Sequence, residues 1–500
     1  MNLSRIVEHW AGMLPAKCAI HFHGEDIAYA ALWQRIEAAT VTLAQRFAVQ
    51  PGERIAYLGL NHPDFIVFLM ALARLGAIAV PLNMRLAPAE LAAILEHAGA
   101  RLLLCDEAMH DAGSAAARAA QVVMESAIVL AAPAQHPARP AHENGSHQGF
   151  AGDDDMPVLL VYTSGTTGKP KGALHTQANL LWNIQAATAS QDIVHQDHLL
   201  NSLPMFHVGG LCIQLLPVLA AGGTVTLHAR FDPAAWIADV AARRPTLSLL
   251  VPATLKAILD HPAWPAADVS SLRFINTGSS SVPRSMIDAV HARGVPVSQV
   301  YGATETGPVS IVLRPEHAVA HAGSTGKAAL HVEVRLVKAD GNDAVADETG
   351  EIWIRGKNVV AGYWNDAHHP AFAGGWFRSG DLAYRDAAGF YWVVGRSKDM
   401  IISGGENIYP AELENVLADC AHILEAAVIG QDDAKWGEVA VAVIVKKPAA
   451  TLDEAGVRQL FEGRLARFKH PRRVIFVETL PKTALGKVQK PVLKAQLASS

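Results

Sequence analysis

One stretch of the sequence combines the residue types that bind a polyphosphate. Small hydroxyl residues, glycines and two lysines run from Tyr162 to Gly172, directly after the apolar segment 158–161. Glycines let backbone N–H groups approach phosphate oxygens, hydroxyls donate further hydrogen bonds, and lysines supply positive charge. The pattern predicts a buried strand that opens into a phosphate-binding loop, with the candidate ligands Thr163, Ser164, Gly165, Thr166, Thr167, Gly168 and Lys169.

Two other interpretations of this stretch fit less well. The Walker P-loop has four residues between its first glycine and its Gly-Lys pair, followed by Ser or Thr. Here Gly165 and Gly168 are separated by two residues, and Pro170 follows the lysine. A flexible linker has no reason to leave a strand and end in Lys-Pro-Lys-Gly. The usual P-loop NTPase class is therefore excluded.

Two further polar loops, 277–281 and 301–308, each follow a predicted strand. Open α/β sheets bind ligands at the carboxyl ends of their strands, so both loops can face one nucleotide. Tyr301 can stack on a base, Thr304 can bond a phosphate, and Glu305 can give one oxygen to Mg²⁺, which takes its other ligands from water and phosphate. The alternative is that each is an ordinary turn residue.

Length and composition limit the class of protein. The chain has 500 residues, too many for one core, and half are apolar, so at least two domains are expected. No apolar run reaches the roughly 20 residues of a membrane span, and the N-terminus lacks the apolar stretch of a signal peptide. The formal charge of −5 does not favour nucleic acid, and the four scattered cysteines lack metal-ligand spacing. We expect a cytoplasmic enzyme that neither inserts into membranes nor binds nucleic acid.

Apolar periodicity indicates an α/β fold with a mostly parallel sheet. From residue 331 the pattern of apolar residues changes. The first layer is predicted from strands at 55–60, 77–80, 102–104 and 127–130 with a helix at 63–74. The second is predicted from strands at 224–227, 247–251, 272–276 and 297–300 with helices at 233–243 and 284–292, and a helix-like apolar stretch runs to Leu219. Alternating strands at 332–337, 351–355 and 390–394 predict a small antiparallel unit, and a compact α/β segment follows, with helices near 411–418 and 452–465 and strands near 426–429 and 439–445.

The phosphate loop closely resembles that of the adenylate-forming (ANL) superfamily, which contains acyl-CoA synthetases, peptide-synthetase adenylation domains and firefly luciferase. The resemblance continues to Lys490 through motifs in superfamily order: Tyr-Gly-x-Thr-Glu from Tyr301, Ser-Gly-Asp ending at Asp381, the run 395–410, and Pro-Lys-x-x-x-Gly-Lys ending at Lys487. The residues of these motifs are most similar to those of acyl-CoA synthetases of the medium-chain and aryl type, and 4-chlorobenzoate:CoA ligase is a near relative by the same motifs.

The resemblance implies the domain organisation. A large N-terminal domain of two α/β subdomains and a small β-barrel-like subdomain is joined to a small mobile α/β C-terminal domain. We place the domains at 1–395 and 396–500. The segment 131–155 is a low-complexity connection to which no function is assigned.

The resemblance also implies roles in the first reaction step. Lys487 reaches the carboxylate and the α-phosphate, Glu305 binds Mg²⁺, Thr304 bonds phosphate, and His207 gates the acyl pocket. The implied nucleotide contacts are Ser279, Ser280, Tyr301, Gly302, and, on the ribose, Asp381 and Arg396. By family position the acyl pocket is walled by Trp182, Val208, Leu250, Ser279 and Val309. The alternatives are a core histidine at 207, a turn aspartate at 381 and a solvated surface lysine at 487.

The second step involves the C-terminal part. By resemblance Lys398 is the hinge, where many acyl-CoA synthetases carry aspartate. The segment 464–494 holds nine Lys or Arg against one acid, which suits the polyanionic CoA. The candidate CoA contacts are Arg85, Gly404, Gly405, Trp436, Phe468 and Arg472. No role is assigned to His470.

The implied function is an ATP-dependent carboxylate:CoA ligase. A carboxylic acid, an aryl or medium-chain fatty acid by its pocket, reacts with ATP in the presence of Mg²⁺ to give acyl-AMP and pyrophosphate, and CoA then expels AMP. A carrier-protein phosphopantetheine in place of CoA is an alternative, as is a non-catalytic nucleotide-binding relative. The last should lack Glu305, Asp381 or Lys487, and all three are present. A homodimer is left open.

Overall fold

The computed structural model describes residues 2–130, 154–163, 171–280, 282–403, 406–433, 435–483 and 486–498. The first part of the chain contains α1 (Arg5–Met13), β1 (Cys18–Phe22), β2 (Glu25–Ala28), α2 (Tyr29–Gln45), β3 (Arg54–Leu58), α3 (Pro63–Leu75), β4 (Ile78–Pro81), α4 (Pro88–Ala98), β5 (Ala100–Cys105), α5 (His110–Ala119) and β6 (Val123–Ser126).

The central part follows with β7 (Pro157–Thr163), β8 (Lys171–Thr176), α6 (Gln177–Gln191), β9 (His198–Asn201), α7 (Val208–Cys212), α8 (Leu215–Ala220), β10 (Thr224–Leu227), α9 (Pro233–Arg243), β11 (Leu247–Leu250), α10 (Pro252–Leu259), β12 (Phe274–Thr277), α11 (Arg284–His291), β13 (Val297–Tyr301), β14 (Ile311–Leu313) and β15 (Lys327–Ala328). The last part contains β16 (Val332–Val337), β17 (Gly350–Gly356), β18 (Phe377–Arg385), β19 (Tyr391–Arg396), β20 (Ile401–Ser403), β21 (Glu406–Ile408), α12 (Pro410–Ala418), β22 (Ile423–Asp433), β23 (Gly437–Lys446), α13 (Glu454–Gln459), β24 (Arg473–Phe476) and α14 (Lys490–Ala498).

Within the described residues, two large sheets form the N-terminal part. One has the order β6-β5-β3-β4-β7-β8 and is parallel except for β8. The other has the order β15-β14-β13-β12-β11-β9-β10-β1-β2 and is parallel from β13 to β1. In both, helices follow strands along the chain, as expected for parallel connections.

Helix α3 shows why the two sheets form one body. Every residue from Phe65 to Ala73 is buried, and the helix shares the largest core with residues of both sheets, among them Val158 and Val225. A helix that is apolar on all sides must be covered on all sides. Gly76 ends the helix in the left-handed conformation, with φ of 68°.

Two smaller sheets complete the chain. Strands β16 to β19 form an antiparallel sheet in sequence order. The C-terminal sheet has the order β21-β20-β23-β22 with β24 parallel to β23, and its two faces are covered by α12 with α13 and by α14. The predicted α/β class, with its small antiparallel unit, is confirmed. Among the described helices, none combines the length and apolarity needed to cross a bilayer.

Some predicted elements are wrong. Residues 127–130 form a 3₁₀ turn because Ala127, Val129 and Leu130 pack into the core without a neighbouring strand, and the strand is β6. The apolar stretch to Leu219 is two short helices, α7 and α8, separated at Ile213 and Gln214. The helix predicted over 452–465 ends at Gln459, after which the chain turns so that Phe461 enters the core.

Candidate active site

The phosphate loop connects two antiparallel strands. Thr163 at the end of β7 is paired with Lys171 at the start of β8, and the Thr163 Oγ1 donates to the Lys171 carbonyl at 3.4 Å. The predicted strand before the loop is therefore present. The predicted ligands Ser164, Gly165, Thr166, Thr167, Gly168 and Lys169 lie outside the described residues, as do Gly404 and Gly405.

The loop after β13 contains the predicted metal ligand. A side chain at Gly302 would place its Cβ 1.6 Å from the Pro308 carbonyl oxygen, so this close approach requires glycine. Thr304 and Glu305 lie in a buried 3₁₀ turn. The Glu305 Oε1 accepts a hydrogen bond from the Tyr363 hydroxyl at 2.6 Å.

A second group of the predicted nucleotide residues is joined by hydrogen bonds. Asp381 in β18 is paired with Arg396 in β19. The carboxylate of Asp381 accepts from the Tyr301 hydroxyl and from the Arg396 Nε, both at 2.8 Å. Burial and the charge of Asp381 raise the pKa of Tyr301. Burial alone would lower the pKa of Arg396, but Asp381 raises it, so the guanidinium remains charged. A carboxylate so placed can accept the hydroxyls of a ribose.

The C-terminal part brings its lysine to this group. The Lys487 side chain is exposed, yet desolvation by the surrounding protein, together with the charge of Arg396, lowers its pKa. Asp381 and Asp399 act in the opposite direction. A Cβ at Gly486 would lie 3.1 Å from the Ala253 side chain in α10, so the lysine loop touches the N-terminal part.

Lys398 lies in a 3₁₀ turn, Ser397–Asp399, directly after β19. Desolvation and then Arg396 lower its pKa. The turn is spanned by a hydrogen bond from the Met400 N–H to the Arg396 carbonyl at 3.0 Å. The predicted hinge residue therefore lies in a short turn between the β16–β19 sheet and the C-terminal sheet.

His207 begins helix α7. Its Nδ1 accepts from the Gly209 N–H at 3.0 Å, and burial lowers its pKa to about 4, so the ring is neutral near pH 7. Asn183 in α6 donates to the Cys212 carbonyl at 2.8 Å and accepts from the Val309 N–H at 2.9 Å. Asn183 therefore joins the helix that His207 begins to the loop that carries Glu305, a connection that sequence reasoning missed.

The structure does not gather the predicted acyl-pocket walls into one cluster. Val208 and Val309 lie in different cores, and Leu250 faces a third core, on the other side of the sheet from its neighbour Leu249. Trp182 lines a surface cavity of about 540 Å³ with His331 and Lys357. Val251, the residue after Leu250, lies in the same core as Val309.

The predicted adenine contacts Ser279 and Ser280 are exposed residues of the loop after β12. Ser279 has a positive φ of 74°, which is rare for a residue other than glycine. Such backbone conformations are concentrated at ligand-binding sites. The preceding Gly278 lies against the Val300 carbonyl, which a Cβ would approach to 2.8 Å.

Among the described candidate CoA residues, Trp436 and Arg472 are in contact, and Arg85 is separate from both. The Trp436 ring is exposed, and the cations of Arg472 and Lys435 lie 5.3 and 5.0 Å from its centre. Phe468 is also exposed. No hydrogen bond, ion pair or ring contact joins Arg85 to these residues in the described part of the chain. His470 bonds the Leu465 carbonyl at 2.9 Å and packs near Phe461, so it has a structural role.

Sequence reasoning also missed Tyr363 and its neighbour His369. The Lys171 Nζ lies 2.8 Å from the His369 Nε2, and 5.3 Å from the centre of the Tyr363 ring. Tyr363 stands in a Gly-Tyr-Trp string ahead of the Ser-Gly-Asp motif, and this short aromatic string was the available signal.

The residues present fit Mg²⁺. Glu305 offers a hard carboxylate oxygen close to the strand that follows the phosphate loop, and Mg²⁺ usually binds one or two carboxylates together with substrate phosphates. Among the described residues no three His, Cys, Asp or Glu form a group that could hold a metal alone. The donor set therefore suits a metal that arrives with a nucleotide.

Comparison with known families decides the classification. The family model described as AMP-binding enzyme matches residues 7–364, and the AMP-binding enzyme C-terminal domain matches residues 412–487. The chain belongs to the AMP-binding enzyme family. The predicted membership in the adenylate-forming superfamily is confirmed.

Members of the AMP-binding family with known names are similar over the whole chain. An indoleacetate–CoA ligase from Aromatoleum aromaticum is 44% identical over 100% of this chain and 98% of its own. A feruloyl-CoA synthase from Streptomyces sp. is 39% identical over 96% of each. The structure of o-succinylbenzoate CoA synthetase from Bacillus subtilis with ATP and magnesium has a TM-score of 0.87, with 30% identity and coverage of 98% and 99%. The same enzyme with its acyl-adenylate OSB-AMP has a TM-score of 0.85, with 31% identity and coverage of 98% and 97%.

These similarities confirm the predicted enzyme class, an acid–thiol ligase of the AMP-binding family, and the predicted use of ATP, Mg²⁺ and CoA. They do not favour the carrier-protein alternative, because the relatives are named as CoA ligases and synthases.

Proposed function

We propose that the protein is an aryl-CoA ligase that makes an aryl-CoA thioester through an aryl-AMP intermediate. The observation that carries the aryl assignment is the 44% identity, over the full chain, to an indoleacetate–CoA ligase. The feruloyl-CoA synthase, whose named substrate is also an aryl acid, adds to this support. A fatty acid has weaker support, from a long-chain-fatty-acid–CoA ligase of Mycobacterium tuberculosis that is 35% identical over 90% of this chain.

In the first half-reaction the acid carboxylate attacks the α-phosphorus of ATP, and pyrophosphate leaves. The proposed role of Asp381 is to accept the ribose hydroxyls while Tyr301 and Arg396 hold its carboxylate in place. Lys487 stabilises the negative charge that develops between the carboxylate and the α-phosphate. When bound through Glu305, Mg²⁺ would offset the charge on the phosphate oxygens.

In the second half-reaction the CoA thiol attacks the acyl carbon and expels AMP. Lys487 lies near Asp381 and Arg396 here, which is the arrangement that the first half-reaction needs. We propose that the part of the C-terminal domain that follows Lys398 then turns about this residue, withdraws Lys487 and opens a route for the thiol. Trp436, Phe468 and Arg472 offer two exposed rings and a cation for the nucleotide end of CoA.

The test is pyrophosphate release across a panel of acids, with and without CoA. The panel contains indole-3-acetate, ferulate, phenylacetate, octanoate, hexadecanoate and 2-succinylbenzoate. We expect kcat/KM to be highest for one of the three monocarboxylic aryl acids, and CoA to be required for repeated turnover. Preference for octanoate or hexadecanoate by tenfold or more would contradict the aryl assignment while leaving the ligase class intact.

A further inference from the structure

The carboxylate of Glu305 has a hydrogen-bond partner that lies outside the Tyr-Gly-x-Thr-Glu motif. Its Oε1 accepts from the Tyr363 hydroxyl at 2.6 Å, and no other hydrogen-bond or ion-pair partner of this carboxylate is found among the described residues. Glu305 is 8% exposed, so its orientation is set by the protein and not by water. Fifty-eight residues separate the two side chains along the chain.

Tyr363 is itself held by the strand that follows the phosphate loop. Its backbone pairs with Ala173 in β8, and the next residue, Trp364, donates its N–H to the Gly172 carbonyl at 2.7 Å. The hydroxyl therefore connects β8, which begins at the end of the phosphate loop, to the proposed metal ligand.

The Tyr363 ring is fixed on several sides. The rings of His369 and Phe372 pack against it edge to face at 4.9 and 5.3 Å, and the Lys171 Nζ lies 5.3 Å from its centre. These contacts restrict the ring, so its hydroxyl has a defined direction toward Glu305. Mg²⁺ demands near-ideal octahedral geometry, and partners that orient a metal ligand typically change affinity by about 10–100-fold when they are removed.

We propose that Tyr363 is the positioning residue for the metal site: its hydroxyl engages one oxygen of Glu305 and leaves the other for the cation. This inference rests on the proposed function of Glu305. A purely structural explanation, in which the hydroxyl only satisfies a buried carboxylate, predicts loss of stability without a specific loss of metal affinity.

The test measures cation binding directly and does not depend on turnover. Mn²⁺, which binds the same oxygen ligands as Mg²⁺ and is visible by electron paramagnetic resonance, is titrated into the full chain with α,β-methylene-ATP, and Mg²⁺ is then used to displace it. Tyr363→Phe should weaken Mn²⁺ binding about tenfold. The matched control is Tyr29→Phe, which removes a buried hydroxyl that donates to the Gly223 carbonyl at 2.7 Å, and which should bind Mn²⁺ as the wild type does.

The double variant separates positioning from structure. If Tyr363 acts through Glu305, then Glu305→Gln with Tyr363→Phe should bind Mn²⁺ no more weakly than Glu305→Gln alone. Additive losses, or wild-type Mn²⁺ affinity in Tyr363→Phe beside weakened binding in Glu305→Gln, would overturn the inference and leave the proposed function standing. Wild-type affinity in Glu305→Gln would instead remove the metal role of Glu305, and the inference with it.

A second variant tests the same proposal in case Tyr363→Phe folds poorly. Phe372→Leu loosens the packing of the Tyr363 ring but keeps its hydroxyl, so it should weaken Mn²⁺ binding in the same direction and by less. Unchanged affinity in that variant would count against the requirement for a fixed ring.

Discussion

The two sides of the proposed reaction centre are built differently. On the N-terminal side, that is, among the residues before the proposed hinge at Lys398, buried or half-buried groups are joined to one another: Tyr301 and Arg396 to Asp381, and Tyr363 to Glu305. On the C-terminal side the chemistry-bearing residues are exposed, as at Trp436, Phe468 and Lys487, and the last of these reaches the centre on a loop.

The difference indicates a division of labour. Groups that are joined before substrate arrives need little reorganisation, which suits stabilisation of charge on ATP. Exposed groups on a domain that is joined through a short turn can exchange positions during a reaction cycle. We therefore expect variants on the N-terminal side to affect nucleotide use in every condition, and variants on the C-terminal side to affect one half-reaction at a time.

The largest expected effect is at Lys487. Lys487→Ala removes the charge that meets the developing negative charge during adenylation, so acid-dependent pyrophosphate release should fall by more than about 100-fold, which corresponds to about 3 kcal/mol. Circular dichroism and the melting temperature should stay close to wild type because the side chain is exposed. A loss below about fivefold would show that the lysine is not needed for the first step.

A smaller effect is expected on the joined side. Asp381→Asn keeps the shape but removes the charge that accepts from Tyr301 and Arg396 and that would accept from ribose. Hydrogen bonds to charged groups contribute about 1.5–3 kcal/mol, so KM for ATP should rise about tenfold or more. KM for the acid should change little. Equal increases for both substrates would mean that the carboxylate acts on the whole site and not on the nucleotide.

His207→Ala should change selectivity more than rate. The ring is neutral near pH 7 and begins helix α7 beside Val208, so its loss should change the shape of the acyl entrance and leave the nucleotide group intact. The ranking of acids in the panel should change by about 10-fold for at least one pair, the scale of small pocket changes. An unchanged ranking with a raised KM for ATP would refute the gating role.

The smallest effect concerns pH. Desolvation lowers the pKa of Lys487, so its protonated form is fully present well below that pKa and is lost as pH rises through it, at a lower pH than for a free lysine. Adenylation should decline on the alkaline side accordingly. Arginine stays protonated there, so Lys487→Arg should move the alkaline limb of the normalised pH profile to higher pH. A limb at the same pH in both proteins would assign the decline to another group.

Helices and strands could be predicted where the residues that determine their ends and buried faces are close together in the sequence. Helix α9 has the predicted bounds because Asp232 accepts from the Ala235 N–H, Pro233 follows it, and the apolar spacing fits one buried face. Strand β16 also has its predicted bounds, because apolar and polar residues alternate along it.

Contacts between distant segments could not be predicted in the same way. Motifs named Tyr301, Asp381 and Arg396 singly, but their hydrogen bonds depend on the register of β18 with β19, which sequence spacing does not specify. The polar Ser-Gly-Asp string has the composition of a turn, although it lies inside β18. The Gly-Tyr-Trp string around Tyr363 is a sequence signal, but only the fold shows that the Tyr363 hydroxyl meets Glu305.

The measurement that tests the account most directly is single-turnover kinetics of both half-reactions in two C-terminal variants. Lys487→Ala should form aryl-AMP from acid and ATP very slowly, yet convert synthetic aryl-AMP and CoA to the thioester at a rate near wild type. Lys398→Pro fixes φ at the proposed hinge and should do the reverse, keeping adenylation and losing thioester formation. Opposite losses in the two variants are the predicted result, and equal damage to both steps in both variants would contradict domain alternation.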